Sequence, residues 1–196
     1  MARVLDSADV DPSAFLGAGT TVWHLAQVRE NAHIGADCVI GRGAYVGIGV
    51  RMGDGCKLQN FALVYEPAEL GAGVFIGPAA VLTNDQYPRS MEPDGRVKGA
   101  GDWEAVGVKI GDGASIGARA VCVAPLVVGR WALIGAGAVV TRDVPDFGLV
   151  LGVPARRVGW VGRAGVRLEK DVEGWVCPRT GERYIEVDGS LKEQSA

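Results

Sequence analysis

Residues 33–50 read HIGADCVIGRGAYVGIGV, and this pattern repeats every six residues. An aliphatic residue stands at Ile34, Ile40 and Val46. A glycine follows each of them, and a small or β-branched residue comes four positions later. Counted outward in sixes, the aliphatic position continues without a slip through fourteen hexads: Val4, Val10, Leu16, Val22, Val28, Ile34, Ile40, Val46, Met52, Leu58, Val64, Leu70, Ile76 and Leu82.

A second block of the same repeat follows an interruption. Its aliphatic positions are Ile110, Ile116, Cys122, Val128, Ile134 and Val140. The step from Leu82 to Ile110 is not a multiple of six, so the second block is out of phase with the first. We therefore expect an insertion of about two dozen residues between two repeat blocks, and VLTNDQYPRS (residues 81–90) marks its beginning.

A period of six predicts an all-β fold, a parallel β-helix in which each hexad is a short strand followed by a turn. Three hexads close one triangular coil, and successive coils stack at the strand spacing of about 4.8 Å. Helical periods of 3.5 or 3.6 do not fit, and the 30 glycines would weaken a helix. We attribute the glycine after each aliphatic residue to backbone angles that a Cβ would forbid.

The repeat also predicts the organisation of the chain. We expect a β-helix domain over residues 1–160, with a loop insertion at about 88–106. A C-terminal extension over 161–196 would form, at most, a small hairpin.

Composition excludes several functional classes. The chain of 196 residues has a formal net charge of −3 and no basic block, so we expect no nucleic-acid partner. No apolar run is long enough to span a bilayer and no signal peptide precedes the first repeat, which predicts a cytoplasmic protein without a membrane partner. The four widely spaced cysteines are interpreted as reduced packing residues.

The end of the second block carries a motif. Residues 134–160 read IGAGAVVTRDVPDFGLVLGVPARRVGW. This segment resembles the terminal signature of hexapeptide-repeat acyltransferases, in which T-[KR]-D-V-P and G-x-P-A-[KR] follow the last coil. The resemblance implies a left-handed β-helix and a homotrimer that binds acetyl-coenzyme A in clefts between neighbouring subunits.

Four further segments narrow the resemblance: VWHLAQV (22–28), CKLQNFALVYE (56–66), FIGPAAVLTNDQYPRS (75–90) and VPARRVGWV (153–161). They resemble N-acetyltransferases that acetylate the 3-amino group of nucleotide-linked sugars. One branch uses a UDP-linked 2-acetamido-3-amino glucuronate and another uses dTDP-3-amino-dideoxyhexoses. The chain departs from the uronate branch at Phe61, where that branch reads Q-N-N, and at Asp85. The choice between UDP and dTDP therefore stays open.

Asn84 and Asp85 are the candidate catalytic residues. The resemblance implies that Asn84 hydrogen-bonds the sugar amine, which then attacks the thioester, while the departing sulfur can accept the proton. Asp85 adjoins Asn84 and is an alternative base. A purely structural interpretation of Asn84 is a turn-forming residue at the end of a strand.

Several polar residues are candidates for binding the sugar nucleotide. Glu66 precedes Asn84 by three hexads, so coil arithmetic stacks the two, and Glu66 could hold the ammonium or orient Asn84. Arg89 suits a pyrophosphate because its planar fork matches phosphate oxygens. The long segment after Arg89 is expected to fold over the cleft or onto a neighbouring subunit. The resemblance adds four further candidates: Gln59, Asn60, Tyr65 and His24.

Coenzyme A needs a groove lined by small residues and cations for its phosphates. The resemblance assigns this role to Ala118, Ala136, Gly137, Thr141, Arg142, Pro154, Arg156 and Arg157. We expect no metal site, because Cys177 has no second cysteine nearby and the two histidines cannot supply the three that a β-helix carbonic anhydrase needs.

The sequence thus predicts an acetyl-coenzyme A-dependent N-acetyltransferase acting on a nucleotide-linked 3-amino sugar, in surface polysaccharide or natural-product assembly. Two alternatives stay open. One is another hexapeptide acyltransferase that uses acetyl-coenzyme A, and the other is a non-catalytic β-solenoid scaffold.

Overall fold

The computed structural model describes residues 1–194, which form strands, turns and loops. Over this range no helix has the length and apolar character needed to cross a membrane. The strands, in chain order, are β1 (Arg3–Val4), β2 (Asp9–Val10), β3 (Phe15–Leu16), β4 (Thr21–Val22), β5 (Gln27–Val28), β6 (His33–Ile34), β7 (Val39–Ile40), β8 (Tyr45–Val46), β9 (Arg51–Met52), β10 (Lys57–Leu58), β11 (Leu63–Val64), β12 (Glu69–Leu70), β13 (Phe75–Ile76), β14 (Val81–Leu82), β15 (Val108–Ile110), β16 (Ser115–Ile116), β17 (Val121–Cys122), β18 (Leu126–Val128), β19 (Leu133–Ile134), β20 (Val139–Val140), β21 (Gly148–Leu151), β22 (Arg156–Trp160), β23 (Glu169–Lys170), β24 (Trp175–Val176), β25 (Arg183–Val187) and β26 (Ser190–Glu193).

Every third strand pairs in parallel, which builds three sheets around one axis. Sheet A contains β1, β4, β7, β10, β13, β16, β19 and β21, with β22 antiparallel at its end. Sheet B contains β2, β5, β8, β11, β14, β17 and β20, and sheet C contains β3, β6, β9, β12, β15 and β18. Partners within the first block are three hexads apart, as in Val22↔Ile40. The fold is a parallel β-helix, consistent with the left-handed form that the resemblance implies.

The predicted aliphatic residues end their strands and point into the core. Ile34, Ile40 and Val46 are completely buried, and so are most of the small residues that stand beside them at the corners. Thr20 stands at one of these corners and has a polar side chain. It is fully buried, but its hydroxyl donates to the Gly35 carbonyl at 2.8 Å and accepts the Cys38 amide at 3.0 Å. Truncating a core residue such as Ile40 to alanine would cost about 2–5 kcal/mol.

The glycine after each aliphatic residue serves a different purpose from the predicted one. Gly41 is absent from the positive-φ positions, so it needs no special backbone angle. A Cβ on Gly41 would lie 2.7 Å from the backbone nitrogen of Asn60 in the next coil. Close stacking of the coils therefore excludes a side chain there. Positive φ occurs two residues later, at Gly43 and also at non-glycine residues such as Leu25 and Phe61.

The four cysteines are free and buried. Cys38 and Cys56 occupy the small-residue position of the repeat, whereas Cys122 occupies an aliphatic position. Burial raises the pKa of the Cys122 thiol to about 12. Their packing role is therefore consistent with the interpretation from the sequence.

The C-terminal extension forms an antiparallel sheet of four strands, β23 to β26, which is larger than a hairpin. It shares a second apolar cluster with the end of the β-helix, formed by Phe147, Trp160, Leu168, Cys177, Tyr184 and Leu191. Ion pairs fasten its edges, including Arg163 with Glu193 and Arg183 with Asp171. The extension thus packs against Phe147 and Trp160 in an apolar cluster separate from the core of the β-helix.

Candidate active site

The candidate residues lie at two corners of the β-helix. The A–B corner joins each strand of sheet A to the next strand of sheet B, and the B–C corner joins sheet B to sheet C. His24, Gln59 and Asn60 lie at the A–B corner, whereas Glu66 and Asn84 lie at the B–C corner. The two corners follow opposite edges of sheet B. A single chain therefore does not bring all the candidates together.

Glu66 and Asn84 occupy equivalent positions in successive coils. Strands β11 and β14 pair with Val64 opposite Leu82, and each candidate follows its strand by two residues. Both side chains belong to residues of intermediate burial. The Oε2 atom of Glu66 is buried and makes no hydrogen bond within residues 1–194. An unpaired buried carboxylate oxygen is costly to the fold, which makes Glu66 a candidate for a role in binding.

A glycine makes room for the Glu66 carboxylate. A Cβ on Gly47, one coil earlier, would collide with Oε2 of Glu66. Two tyrosines lie beside it, with the Tyr45 and Tyr65 rings 5.0 Å apart between centroids. Burial raises the pKa of Tyr45, and the negative charge of Glu66 raises it further. The carboxylate therefore sits in a partly apolar pocket of side chains, where its charge interacts more strongly than it would in water.

Asp85 begins the insertion and is held by its own loop. Its Oδ1 accepts the amide N–H of Tyr87 at 2.8 Å, which is an Asx turn. The carbonyl of Asn84 accepts the amide of Val106 at 3.0 Å, so the two ends of the insertion meet here. Arg89 is exposed and donates to the Pro88 carbonyl at 2.9 Å. Asn84, Asp85 and Arg89 thus belong to one surface at the B–C corner.

The candidates of the A–B corner have structural partners of their own. Oδ1 of Asn60 accepts the Arg42 amide at 3.0 Å, which joins adjacent coils and leaves the Asn60 amide nitrogen for a substrate. Nδ1 of His24 lies 2.8 Å from the Ser7 hydroxyl, and His24 is exposed two coils before Asn60. Gln59 is half-buried beside Asn60.

The cofactor candidates surround the C-terminal end of sheet B. The segment from Gly152 to Ala155 closes that end, because Ala155 donates its amide to the Val139 carbonyl at 2.8 Å. A Cβ on Gly137 would meet no atom within 4 Å, so this corner is open. The remaining exposed or half-exposed candidates lie on both edges of sheet B. Ala118 and Ala136 share the A–B corner with Gly137, and Thr141 and Arg142 follow β20 at the B–C corner. Pro154 and Arg156 belong to the segment that closes the end of the sheet.

Arg157 is less available than its neighbours. Its guanidinium lies 4.0 Å from the centroid of the Trp160 ring and 3.4 Å from the Glu186 carboxylate. These contacts fasten β22 to the C-terminal extension. Its assignment to coenzyme A phosphates stays a prediction.

The insertion contains residues that the sequence did not single out. It folds into a short hairpin, with an antiparallel bridge between Met91 and Val97. A bidentate pair of Arg96 with Asp102, at 2.7 and 3.0 Å, closes it. Two adjoining cavities of about 410 and 240 Å³ lie between this hairpin and Asp85. The insertion does not follow the six-residue period. Only its aromatic and charged residues could have indicated, from the sequence, that it contributes to a site.

Within residues 1–194, no group of three or more histidine, cysteine, aspartate or glutamate side chains is arranged to hold a metal ion.

The repeat matches two known family models. The model of the bacterial transferase hexapeptide (six repeats) matches residues 13–47, and that of the hexapeptide repeat of succinyl-transferase matches residues 107–142. A dTDP-3-amino-3,6-dideoxy-alpha-D-galactopyranose 3-N-acetyltransferase of Aneurinibacillus thermoaerophilus is 43% identical over 81 residues, which are 41% of this chain and 42% of that protein.

Two further proteins share longer segments. The bifunctional protein GlmU of Alkalilimnicola ehrlichii is 36% identical over 184 residues, covering 89% of this chain and 35% of that protein. A solved structure, the hexapeptide-repeat containing acetyltransferase VCA0836 of Vibrio cholerae complexed with acetyl coenzyme A, is 25% identical with a TM-score of 0.50. The match covers 63% of this chain and 70% of the VCA0836 chain. The chain spans less than half the length of these two curated relatives. Two stretches of this chain, residues 13–47 and 107–142, thus match models of the hexapeptide repeat of bacterial transferases.

Proposed function

We propose that the protein transfers an acetyl group from acetyl-coenzyme A to the 3-amino group of a UDP- or dTDP-linked amino sugar. The observation that carries the proposal is the pair at the B–C corner. Asn84 stands where the repeat breaks, and the unpaired carboxylate oxygen of Glu66 lies one coil away. The Glu66 carboxylate places a negative charge on the same corner as Asn84, and its Oε2 faces Gly47 in the preceding coil. The name of the Aneurinibacillus relative supports the choice of a 3-amino sugar.

The chemistry needs a neutral amine held close to the thioester carbon. Asn84 hydrogen-bonds the amine and aims its lone pair, while Glu66 accepts one of its N–H groups. The nitrogen forms the new C–N bond as the C–S bond breaks, and the amine proton passes to the departing sulfur. Positioning supplies much of the rate in such a reaction, so a strong base is not required. Asp85 is the alternative proton acceptor.

The proposed enzyme is a homotrimer. The outward residues of sheet B form an apolar, half-buried row in which Tyr45, Leu63, Val81, Val121 and Val139 succeed one another. If three such faces pack around a threefold axis, the A–B corner of one subunit meets the B–C corner of the next. This arrangement would unite Gln59, Asn60 and His24 with Asn84 in one cleft.

Acetyl-coenzyme A would lie along the same cleft at the C-terminal end of sheet B. Strand β14, which precedes Asn84, is separated from β20 by β17 alone, so the spacing of two strands is about 10 Å. The open corner at Gly137 gives space for the pantetheine, and Thr141, Arg142 and Arg156 offer donors for phosphates. The acetyl complex of VCA0836 supports the coenzyme as co-substrate.

We place the reaction in the cytoplasm, where acetyl-coenzyme A is available and thiols stay reduced. The product would serve the assembly of a surface polysaccharide or of a glycosylated natural product, since these processes consume modified nucleotide sugars.

A second candidate is another acyltransferase that uses acetyl-coenzyme A. The observation in its favour is the 36% identity with the GlmU protein, which covers 89% of this chain. That similarity extends over the repeat as a whole. The two candidates therefore differ in the acceptor rather than in the donor.

The test is release of coenzyme A thiol with a panel of acceptors: UDP- and dTDP-linked 3-amino sugars, their 4-amino isomers and amino sugars without a nucleotide. We expect turnover with one nucleotide-linked 3-amino sugar and little with its 4-amino isomer. Turnover only on a sugar without a nucleotide would favour the second candidate. Absence of thiol release on every acceptor, with no binding of coenzyme A, would refute both and leave a scaffold.

A further inference from the structure

The inserted hairpin encloses space beside the proposed catalytic residues. Its larger cavity, about 410 Å³, is lined by Asp85, Arg89, Lys98 and Trp103 among others. The smaller cavity of about 240 Å³ shares Asp85, Lys98 and Trp103 with it. The larger volume is within the range of about 300–1,000 Å³ that is usual for small-molecule sites. Lys98 and Trp103 thus stand between two spaces that open onto the B–C corner.

Lys98 is a largely buried cation whose ammonium has no close hydrogen-bond acceptor in residues 1–194. Its side chain is only 19% exposed, yet its nearest carboxylate, that of Glu92, is 3.9 Å away. Its ammonium makes no hydrogen bond within residues 1–194, although its backbone is fixed by donation to the Ser90 carbonyl at 3.0 Å. A largely buried ammonium gains most from a charged acceptor. Together with Arg89, it gives the larger cavity two cations beside the carboxylate of Asp85. The smaller cavity is lined in addition by the carboxylates of Asp102 and Glu104, so the cations are concentrated on the side of Arg89.

Trp103 adds an aromatic surface to the same cavity. Its side chain is 37% exposed, so part of the indole is available to a ligand. Exposed tryptophan in a concave site provides a stacking surface for a planar ring. An aromatic face beside two cations is the combination that recognises a base together with its phosphates.

The hairpin is held in shape before any ligand arrives. Asp102 accepts both N–H groups of Arg96 and, at 2.7 Å, the amide of Gly99. These bonds join the segment next to Lys98 to Asp102, the residue that precedes Trp103. A site whose walls are already fixed loses less conformational entropy on binding.

We infer that this hairpin is the nucleotide subsite of the enzyme: Lys98 and Arg89 bind the diphosphate of a pyrimidine nucleoside diphosphate, and Trp103 stacks on its base. The inference rests on the proposed function, because it takes the acceptor to be a nucleotide-linked sugar. It adds Lys98 and Trp103 to the residues that bind substrate. It also gives the insertion a purpose, which is to bring the sugar to Asn84 by its nucleotide.

Coenzyme A also contains a nucleoside diphosphate, and its adenosine could occupy a similar site. The position of the cavity favours the sugar nucleotide. The hairpin leaves the β-helix directly after Asn84, whereas the open groove around Gly137 lies two coils further along sheet B. The experiment must nevertheless separate the two sources.

Isothermal titration calorimetry with UDP, dTDP and adenosine 3′,5′-bisphosphate provides that separation. We expect Lys98→Ala to weaken binding of UDP or dTDP about tenfold, since a charge-assisted hydrogen bond is lost. Trp103→Ala should weaken it to a similar extent, and Trp103→Phe should retain most of the affinity. The binding of adenosine 3′,5′-bisphosphate should not change. Lys109→Ala is the matched control, because this exposed lysine pairs with Glu69 on sheet C, 3.2 Å away.

Unchanged affinity for UDP and dTDP in both alanine variants, or a loss confined to adenosine 3′,5′-bisphosphate, would overturn the inference. Its failure is distinguishable from failure of the proposed function. Acetyl transfer to a nucleotide sugar with an unaltered KM in Lys98→Ala would refute the subsite alone. Nucleotide binding that depends on Lys98, without any acetyl transfer, would support the subsite and refute the transferase.

Discussion

Glu66 lies one coil away from Asn84, and its buried Oε2 has no hydrogen-bond partner within residues 1–194. The β-helix itself creates this relationship, because a spacing of three hexads stacks the two positions on one corner. Gly47 leaves the space into which the carboxylate turns. An unpaired buried carboxylate oxygen costs stability, so we interpret Glu66 as a residue kept for binding rather than for the fold.

Replacement of Glu66 by glutamine tests this interpretation. Glu66→Gln keeps the shape but removes the charge, so we expect KM for the amino sugar to rise about tenfold. The melting temperature should stay the same or increase, since an unpaired buried carboxylate oxygen is removed. Steady-state kinetics and thermal unfolding provide the two readouts. Glu69→Gln, at an exposed residue paired with Lys109, is the control. An unchanged KM would mean that Glu66 does not contact the substrate.

Asn84 and Asp85 can be separated by two substitutions. Asn84→Ala should lower kcat/KM by about 100-fold, the cost of a misplaced reactant. Asp85→Asn keeps the acceptor that binds the Tyr87 amide but abolishes basicity, so activity should persist. Both variants are assayed by thiol release over a range of pH. Loss of activity in Asp85→Asn, with retention in Asn84→Ala, would assign the proton transfer to Asp85.

The fold could be predicted in detail and the site only in part. Each strand from β1 to β14 ends on the aliphatic residue that the six-residue period predicts, because one inward side chain per hexad is what a triangular coil requires. The prediction that the glycine after each aliphatic residue is needed for special backbone angles was wrong. Gly41 is required by the closeness of the next coil, which spacing along the chain does not show.

The structure of the insertion could not be predicted from the six-residue repeat. Its shape depends on the pair between Arg96 and Asp102 and on a bridge between Met91 and Val97, and neither follows from a repeat. The stacking of Glu66 and Asn84 could be counted from the sequence. The separation of Asn60 from Asn84 by the width of sheet B could be recognised only once the corners were placed.

Loosening the inserted hairpin should weaken nucleotide binding although Asp102 is not one of the residues proposed to contact the nucleotide. Asp102→Asn removes the charge that binds Arg96 and lowers the acceptor strength toward the Gly99 amide. We expect faster hydrogen exchange across residues 92–102 and about a fivefold rise in the Kd for the sugar nucleotide, because ordering of the hairpin then opposes binding. The exposed Asp6→Asn provides the control. Unchanged exchange in Asp102→Asn would show that the pair does not order the hairpin.

The apolar face of sheet B predicts where subunits meet. Leu63→Lys places a charge in the centre of the row, which a packed interface cannot accommodate without a partner. We expect the particle mass to fall from about three times 20.4 kDa to that of one chain, together with activity. Light scattering after size exclusion measures the mass. Val127→Lys, at an exposed apolar residue of sheet C, should remain trimeric. Equal dissociation in both variants would contradict the assignment of sheet B to the interface.

Acid should loosen the C-terminal extension before it unfolds the β-helix, because both ion pairs that acid weakens join residues within the extension. Hydrogen bonds from Arg163 lower the pKa of Glu193, and hydrogen bonds from Arg183 and the Glu173 amide lower the pKa of Asp171. A lowered pKa in the folded state contributes stability above the ordinary values of 4.5 and 3.8. That stability is lost as the pH falls through the lower folded values. Both ion pairs are partly exposed, so the effect is modest and decreases in salt.

Limited proteolysis after residue 160, measured from pH 6 to pH 3, monitors this loosening of the extension. Arg163→Gln removes the partner of Glu193, so the pKa of that carboxyl returns toward its ordinary value and cleavage should begin at a higher pH. The exposed Arg179→Gln should cleave like the wild type. If Arg163→Gln and the wild type were cleaved at the same pH, the pair of Arg163 with Glu193 would not be what holds the extension in its folded form.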